Sequence, residues 1–317
     1  MDGFEKIITL GISPCWDCTC EVDGIEWGEH KVICSASDVP AGKAFNINRA
    51  LRQLGEKSIA GGLWGADDYA RMLLAVEGLK DFVMINFTQA SGATRRNTTV
   101  VDTANKRQIH LRQKSMLATK TSLGRLAGDI EKIADGKSVC VFAGALPGGD
   151  LACEVMKVIG TAKNTGAQIV VDSSGEALKQ IVDAGGLSII KPNLDELAEL
   201  IGEEINDCLD SIIPAAKSLL DKAEIVVVSR GENGAVVVSG EGVLAGEYAG
   251  EKFDASNTVA CGDFLLAGFL AGMKEKNDLA FALEKGIKAA TGRAMGICDT
   301  VAWSKAQMDI EIDMKAI

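Results

Sequence analysis

The sequence is organised around one stretch, Asn257-Thr-Val-Ala-Cys-Gly-Asp263, which continues directly into Phe264-Leu-Leu-Ala-Gly-Phe-Leu-Ala-Gly-Met273. Its first half contains short polar and small residues with a glycine, and its second half is an apolar run. This change of composition predicts a turn that leads into a buried helix. Because the N–H groups of a first helical turn have no partner inside the helix, the amides of residues 260–263 form a candidate anion site.

Asp263 lies at the start of this predicted helix, and two interpretations of it are open. An aspartate near a helix N-terminus commonly caps the spare N–H groups. A carboxylate beside an anion site can instead act as a general base, taking a proton from a hydroxyl while the amides hold a phosphate. The stretch alone does not decide between them.

Length and composition limit the classes of protein. The 317 residues admit one large domain with an insertion or two domains. A net charge of −11 argues against a nucleic-acid partner, although a small anionic substrate needs only a local basic cluster. No apolar run reaches membrane-spanning length and the first residues are charged rather than signal-like, so we expect no membrane partner and a cytoplasmic protein.

Three of the nine cysteines, Cys15, Cys18 and Cys20, lie close together. A metal site would need a second cysteine pair or suitably spaced histidines, but the chain has only His30 and His110 and no second Cys-x-x-Cys. We therefore expect most of these thiols to be small buried apolar side chains.

Short apolar runs alternate with longer amphipathic ones along the chain. The apolar runs predict strands at residues 6–10, 58–60, 139–142, 168–171, 187–190, 224–228 and 235–238. The amphipathic runs predict helices that include residues 44–54, 69–79, 151–164, 194–201 and 214–220. This alternation predicts an α/β fold, with a mostly parallel central sheet and helices on both faces.

Two regions, about residues 15–36 and 94–112, alternate polar and apolar residues with no helix between them. They predict antiparallel hairpins that project from the sheet as a small β-strand lid. Since no linker or repeat interrupts the chain, we expect residues 1–317 to form a single domain with the lid as an insertion.

Ligands of open parallel sheets bind beyond the carboxyl ends of the strands, and glycine-containing polar loops follow three predicted strands here. These loops come after Phe142, Ile190 and Val228. The chain has neither a Walker A sequence nor a Gly-x-Gly-x-x-Gly turn after the first strand, which disfavours a P-loop enzyme and a simple dinucleotide dehydrogenase.

Further short motifs follow one another along the chain. They are Ile8-Thr9-Leu10 with Pro14 and Asp17, then residues 40–51, 62–65, 94–97, 144–148, 172–175, 191–196 and 229–234, and finally the opening stretch. This order resembles the ribokinase-like sugar kinases of the phosphofructokinase B type. The likeness covers about residues 6–295 and is greatest to the branch containing 1-phosphofructokinase and tagatose-6-phosphate kinase.

The resemblance implies an ATP- and Mg²⁺-dependent kinase with the following site. Asp263 matches the catalytic base, and Ala260, Cys261 and Gly262 match the anion hole. The residues that match the ATP site are Lys191, Asn193, Ser229, Gly231 and Gly234, and Asn193 with Glu196 matches the element that organises magnesium through water. The residues that match the sugar site are Asp17, Gly42, Lys43 and Asn46, while Arg95 and Asn97 match a lid strand facing a substrate phosphate.

Departures from the family pattern lie mainly at the substrate end. They are Ala41 and Ala44 in place of glycines, Ala145 in place of serine, Gly148 in place of proline, Asn257 in place of aspartate, a bulky Phe264 after the base and an altered lid run at 111–116. We therefore expect a kinase of a sugar phosphate such as fructose 1-phosphate, fructose 6-phosphate or tagatose 6-phosphate. A kinase of an unphosphorylated sugar or nucleoside and a non-catalytic binding protein are the alternatives. The resemblance also implies a homodimer formed through the lid, because lid-bearing relatives often pair in this way and an exposed apolar lid face would favour aggregation unless it is covered.

Overall fold

The computed structural model describes residues 1, 3–255, 258–297 and 300–317. The strands are β1 Lys6–Gly11, β2 Cys15–Val22, β3 Ser35–Ala41, β4 Ser58–Gly65, β5 Val83–Ala90, β6 Arg96–Asp102, β7 Arg107–Leu111, β8 Ser138–Ala143, β9 Gln168–Asp172, β10 Leu187–Ile190, β11 Ala223–Ser229, β12 Ala235–Ser239, β13 Gly242–Tyr248 and β14 Ile312–Ala316. The helices are α1 Lys43–Gln53, α2 Tyr69–Ala75, α3 Lys120–Ile133, α4 Ala152–Asn164, α5 Gly175–Ala184, α6 Leu194–Ile201, α7 Leu209–Lys217, α8 Cys261–Lys276, α9 Leu279–Ala294 and α10 Thr300–Asp309.

The large sheet has the strand order β14-β13-β12-β11-β10-β9-β8-β1-β4-β5. Its strands are parallel from β5 to β11 and antiparallel from β11 to β14. Every residue of β8, β10 and β12 is buried, because helices cover both faces. Phe142 faces the core under α3 and α4, whereas its neighbour Val141 faces the core under α1 and α8. The predicted α/β fold with a mostly parallel sheet is confirmed.

A second sheet, which we call the small sheet, has the strand order β3-β2-β6-β7. The pairs β2–β3 and β6–β7 are antiparallel, and β2 joins β6 in parallel. The aromatic rings of Trp16, Phe45, Trp64 and Phe87 pack together where the small sheet meets α1 and the large sheet. Strand β3 extends to Ala41, five residues past the expected end at 36, so that it leads directly into α1.

The opening stretch forms the start of α8, and all its side chains from Asp263 to Met273 are buried. Gly268 and Gly272 lie one turn apart, and a Cβ atom on either would come within 2.6 Å of α9 backbone atoms. The glycines therefore let α8 pack closely against α9. Asn257, expected in the turn before the helix, lies outside the described residues.

Several elements differ from the predicted ones. The helix expected at 69–79 ends at Ala75, and a separate 3₁₀ turn follows at Glu77–Leu79. The helix expected from Pro214 begins at Leu209, because buried Ile212 and Ala216 hold it against the core although the proline removes one helical hydrogen bond.

Candidate active site

Asp263 lies in the first turn of α8 with only 4% of its surface exposed. Its Oδ2 accepts a hydrogen bond of 2.7 Å from Nδ2 of Asn46 in α1. The backbone N–H of Asp263 donates to the carbonyl of Ala260 at 2.9 Å. This amide, expected in the anion hole, is engaged within the helix, and the candidate hole is reduced to the amides of residues 260–262.

The environment of Asp263 raises its pKa to about 7. Burial is the main cause, and the charge of Asp172 adds to it. The hydrogen bond from Asn46 and the charges of Lys43 and Lys191 oppose the rise. A carboxyl that titrates near neutral pH is well matched to general-base chemistry.

The start of α8 has an unusual backbone. Ala260 has a φ of 70°, a left-handed conformation that glycine adopts far more readily. At Gly262, an added Cβ atom would lie 3.5 Å from Nζ of Lys191. Because Gly262 has no side chain, the ammonium group of Lys191 can lie close to the N-terminus of α8.

Asp172, at the end of β9, joins the two lysines of the site. Its Oδ1 lies 2.8 Å from Nζ of Lys43 and 3.2 Å from Nζ of Lys191. The carboxylate is fully buried, and its Oδ2 has no hydrogen-bond partner among the described residues. The charge of Asp172 therefore holds both cations close to Asp263.

Asn193 and Glu196 form a capping box at the start of α6. The N–H of Asn193 donates to Oε2 of Glu196 at 2.9 Å, and Oδ1 of Asn193 accepts from the N–H of Glu196 at 2.8 Å. A β-bridge joins Asn193 to Ser229, whose N–H donates to the carbonyl of Pro192 at 3.0 Å. The capping box and the loop after β11 thus form one rigid unit.

The loop after β11 depends on two glycines with positive φ. Gly231 has a φ of 60° and opens a 3₁₀ turn, and Gly234 has a φ of 79°. A Cβ atom on Gly234 would lie 2.0 Å from the carbonyl oxygen of Gly246 in β13. The loop can therefore take this path only with glycine at 234.

The small sheet brings Asp17 and Asn97 together as paired residues of β2 and β6. Nδ2 of Asn97 lies 3.2 Å from Oδ1 of Asp17, and Oδ1 of Asn97 is buried without a partner among the described residues. Gly42, with a φ of 115°, forms the N-cap of α1 where β3 ends.

Backbone carbonyls engage the guanidinium of Arg95, the residue expected to face a substrate phosphate. Its guanidinium donates to the backbone carbonyls of Ser13, Pro14 and Gln113, at 2.9, 3.2 and 3.0 Å respectively. Its neighbour Arg96 binds both carboxylate oxygens of Asp38. Arg95 therefore fastens the start of β6 to the loop after β1.

A cavity of about 510 Å³ lies between the small sheet, α1 and the start of α8, and its wall includes Asn46, the hydrogen-bond partner of Asp263. The lining residues are Asp17, Val39, Ala41, Asn46, Arg49, Arg52, Gln53, Leu79, Val259, Ala260, Phe264 and Arg293. Phe264, whose size departs from the family pattern, is buried in the core beneath α8 and forms part of the cavity wall.

Comparison with known proteins identifies the family. The family model described as pfkB family carbohydrate kinase matches residues 5–292. The chain belongs to this family. It is therefore a carbohydrate kinase, and the resemblance inferred from its motifs is confirmed.

Relatives and solved structures match nearly the whole kinase. A 1-phosphofructokinase of Vibrio cholerae is 26% identical over 312 residues, covering 97% of this chain and 96% of that protein. An ATP-dependent 6-phosphofructokinase isozyme 2 of Escherichia coli is 28% identical over 297 residues, covering 92% and 93%. The structure of phosphofructokinase-2 from Escherichia coli in complex with fructose-6-phosphate has a TM-score of 0.86 at 24% identity, covering 96% and 99%, and it demonstrates the shared fold.

Two carboxylates of the kinase, Glu196 and Asp172, are suited to holding Mg²⁺ through water. Glu196 is buried in the capping box that adjoins the candidate nucleotide loop, and Asp172 carries an oxygen without a partner among the described residues. Mg²⁺ prefers such oxygen ligands and retains much of its water. No group of three or more His, Cys, Asp or Glu side chains that could hold a metal directly occurs in the described part of the kinase.

The expectation that most thiols are buried is wrong for the described cysteines, because Cys15, Cys18 and Cys140 are buried whereas Cys20 and Cys261 are half-buried and Cys34, Cys153 and Cys208 are exposed. Burial raises the pKa of the Cys15 thiol to about 12 and that of the Cys18 thiol to about 11. Both thiols are therefore neutral at ordinary pH.

Within the ranges that the structure describes, no helix is both long and apolar enough to span a membrane.

Three residues of the kinase site were not assigned from the sequence. Asp172 could have been found, because it ends a buried strand and opens one of the quoted motifs. Arg49 lies inside the run 40–51, but its position on the cavity wall follows only from the helix orientation. Arg293 lies in α9, 30 residues after Asp263, and no local pattern marks it.

Proposed function

We propose that this kinase transfers the γ-phosphoryl group of ATP to a hydroxyl of a sugar phosphate in the fructose 1-phosphate, fructose 6-phosphate or tagatose 6-phosphate class. The phosphofructokinase relatives, at 26% to 28% identity over nearly the whole chain, support the substrate class. The observation that carries the reaction is Asp263, a buried carboxyl with a pKa near 7 that is hydrogen-bonded to Asn46 on the cavity wall.

In the proposed reaction, ionised Asp263 takes the proton of the acceptor hydroxyl. The hydroxyl oxygen then forms a bond to the γ-phosphorus of ATP, while the bond to the bridging oxygen breaks and ADP leaves. The amides of Ala260, Cys261 and Gly262, at the positive end of α8, stabilise the charge on the transferring oxygens. Lys43 and Lys191, both held by Asp172, add positive charge on the same side.

The ATP side of the proposed site combines the α6 capping box with the loop after β11. Lys191, Asn193, Ser229, Gly231 and Gly234 bind the nucleotide, and their rigid connection keeps it in one position. Glu196, with Asn193 and Asp172, would hold Mg²⁺ through water. When bound, Mg²⁺ neutralises charge on the ATP phosphates.

The acceptor side consists of Asp17, Gly42, Lys43, Asn46 and Asn97. The carboxylate of Asp17 can accept hydrogen bonds from sugar hydroxyls, and Asn97 on the paired strand donates to this carboxylate and holds it in place. We further propose that residues 1–317 act as one domain with the small sheet as its lid.

Two copies of the chain would pair through the small sheet. Its residues Val39, Ile109 and Leu111 are large, apolar and about half exposed. Sedimentation velocity should show a dimer for the wild type and a monomer for Ile109→Lys with Leu111→Lys. A monomeric wild type would contradict this assembly.

A kinase of an unphosphorylated sugar is the second candidate. The contacts of Arg95 favour it. This residue was expected to face a substrate phosphate, but its guanidinium binds backbone carbonyls instead.

ADP release from ATP separates these candidates when it is measured with the three hexose phosphates, free hexoses and nucleosides. We expect turnover only with a hexose phosphate, reduced about 10²- to 10⁴-fold in Asp263→Asn. The matched control Asp67→Asn changes an exposed aspartate and should retain activity. Turnover with free hexoses or nucleosides alone would contradict the proposed substrate class, and nucleotide binding without any turnover would indicate a binding protein.

A further inference from the structure

The loop after β11, residues 229–234, is attached to the rest of the protein at two separate places. At its start, the N–H of Ser229 donates to the carbonyl of Pro192 at 3.0 Å, next to the capping box of α6. Beyond Ser229, side chains of the loop contact Asp207, in the segment 202–208 that connects α6 to α7. The loop is therefore held by residues that precede α6 and by residues that follow it.

The carboxylate of Asp207 binds two residues of this loop at once. Its Oδ1 accepts a hydrogen bond of 2.5 Å from Nε of Arg230, and its Oδ2 accepts one of 2.6 Å from Nδ2 of Asn233. Arg230 immediately precedes the 3₁₀ turn Gly231–Asn233, and Asn233 is the last residue of that turn. One side chain from a different part of the chain thus binds both ends of the turn.

The guanidinium of Arg230 adds a further connection inside the loop. Its Nη1 donates to the carbonyl of Asn233 at 3.2 Å, and the backbone N–H of Arg230 donates to the carbonyl of Gly234 at 2.8 Å. Only 13% of the Arg230 side chain is exposed. Burial acts to raise the pKa of Asp207, but the hydrogen bonds from Arg230 and Asn233 outweigh it and hold the pKa below its usual value. Asp207 is therefore ionised at neutral pH, and its bond to Arg230 is charge-assisted.

The backbone around Asp207 is fixed by the start of α7. The N–H of Asn206 donates to Oγ of Ser211 at 3.1 Å, and the N–H of Cys208 donates to the carbonyl of Asn206 at 2.8 Å. Helix α7 is anchored in the core by Ile212, which has no exposed surface. The position of the carboxylate is therefore determined by the packed body of the protein and not by the loop that it binds.

The loop after β11 needs such a support because it contains two glycines. Gly231 and Gly234 both have positive φ, and glycine loses more conformational entropy than other residues when its backbone is ordered. A contact that orders the loop before a ligand arrives removes part of this cost from binding. Ser229, Gly231 and Gly234, which we propose to bind ATP, all lie in this loop, so the benefit falls on the affinity for the nucleotide.

We propose that Asp207 is a positioning residue for ATP, which holds the loop after β11 in its nucleotide-binding conformation through Arg230 and Asn233. This inference rests on the proposed function, which assigns the loop to ATP. Arg230 then acts on the nucleotide through the loop backbone and not as a phosphate ligand. The acceptor residues Asp17 and Asn46 lie on other elements, so the effect of Asp207 is confined to the nucleotide.

Hydrogen–deuterium exchange of the full chain without ligand measures the positioning directly. The variants are Asp207→Ala, Arg230→Met, their combination, and the conservative Asp207→Asn, which keeps one acceptor oxygen. Glu204→Ala removes an exposed carboxylate from the same segment 202–208 and is the matched control. We expect the amides of residues 229–234 to exchange at least about threefold faster in Asp207→Ala and Arg230→Met, and at the wild-type rate in Glu204→Ala.

Isothermal titration calorimetry with Mg²⁺ and a non-hydrolysable β,γ-imido analogue of ATP measures the consequence for binding. Asp207→Ala and Arg230→Met should each weaken binding by about 3- to 20-fold, and Asp207→Asn should show a smaller loss. The double variant should lose no more than about twofold beyond the weaker single variant, because both substitutions remove the same contact. Glu204→Ala should bind within about twofold of the wild type.

Turnover assays and urea unfolding separate positioning from a general loss of structure. In Asp207→Ala, the KM for ATP should rise by a factor similar to the loss in binding, while the KM for the hexose phosphate stays within about threefold. The urea midpoint should stay close to that of the wild type, because a partly exposed ion pair contributes little to global stability. A KM for the hexose phosphate that rises as much as the KM for ATP would contradict the inference.

Four further results would overturn the inference. They are unchanged exchange of residues 229–234 in folded Asp207→Ala and Arg230→Met, faster exchange with unchanged binding of the ATP analogue, a loss in the double variant equal to the product of the single losses, and a wild type that does not bind the analogue. The first three, with wild-type ADP release intact, leave the proposed function standing, whereas the last contradicts both. Nucleotide binding that depends on Asp207, without turnover on any hexose phosphate, would instead uphold this inference and contradict the proposed function.

Discussion

Replacing Asp263 by asparagine should stabilise the folded protein, and the gain should increase with pH. The pKa of this carboxyl rises from 3.8 to about 7 on folding, chiefly through burial and secondly through the charge of Asp172. The folded state therefore binds this proton more tightly than the unfolded state does. In the wild type, the stabilisation that comes from this bound proton is complete below about pH 4 and is lost as the pH rises through about 7.

The magnitude follows from the size of this pKa change. A rise from 3.8 to about 7 corresponds to a loss of about 4 kcal/mol in the free energy of unfolding at high pH. About 2 kcal/mol of this loss develops between about pH 5.5 and about pH 8.5. Asparagine does not ionise, and its Oδ1 can still accept the hydrogen bond from Asn46, so the variant avoids the loss.

Urea unfolding followed by the fluorescence of the four tryptophans measures this effect at each pH. The difference between Asp263→Asn and wild type should increase by about 2 kcal/mol across this pH range, and Asp67→Asn should show no such trend. A difference that does not depend on pH, or one that increasingly favours the wild type, would refute the reasoning.

Three further predictions concern the backbone and charges around the site. Ala260→Gly should raise the free energy of unfolding by about 1 kcal/mol in thermal or urea unfolding, because glycine adopts the φ of 70° without strain; no gain would contradict the left-handed backbone. Gly234→Ala should lower the free energy of unfolding by about 2 to 4 kcal/mol and weaken ATP binding in calorimetry, because its Cβ would lie 2.0 Å from the carbonyl of Gly246. The control Gly240→Ala places its Cβ in open space and should lower the free energy of unfolding much less. Lys43→Met should move the acidic limb of the pH–activity profile to higher pH, because the charge of Lys43 lowers the pKa of Asp263; a shift to lower pH would contradict the arrangement.

The parts of the fold that could be predicted are those with a strong local pattern. Strands β8 and β10 are apolar on both faces, and the apolar run after Asp263 forms α8 with the expected burial. Strand β5 was not predicted, because its polar residues Asn86, Thr88 and Gln89 obscure the apolar pattern. Helix α7 begins before Pro214 because tertiary packing outweighs the preference of proline for a first turn.

The candidate site shows a similar division. Ordered motifs identified the family and led to Asp263, Asn46 and the capping box at α6. The partners of these residues could not be predicted, because contacts such as that between Asn46 and Asp263 join residues 217 positions apart. Arg95 illustrates the limit, since its sequence position suggested a phosphate ligand and its side chain binds backbone carbonyls.

The dependence of kcat/KM on pH tests the central claim, that Asp263 is the base of a sugar phosphate kinase. With the preferred hexose phosphate and saturating ATP, kcat/KM of the wild type should rise tenfold per pH unit below about 7 and level off above it. Asp263→Asn should be lower by about 10²- to 10⁴-fold and should lack this limb. A variant that retains both wild-type activity and the wild-type pH profile would contradict the account.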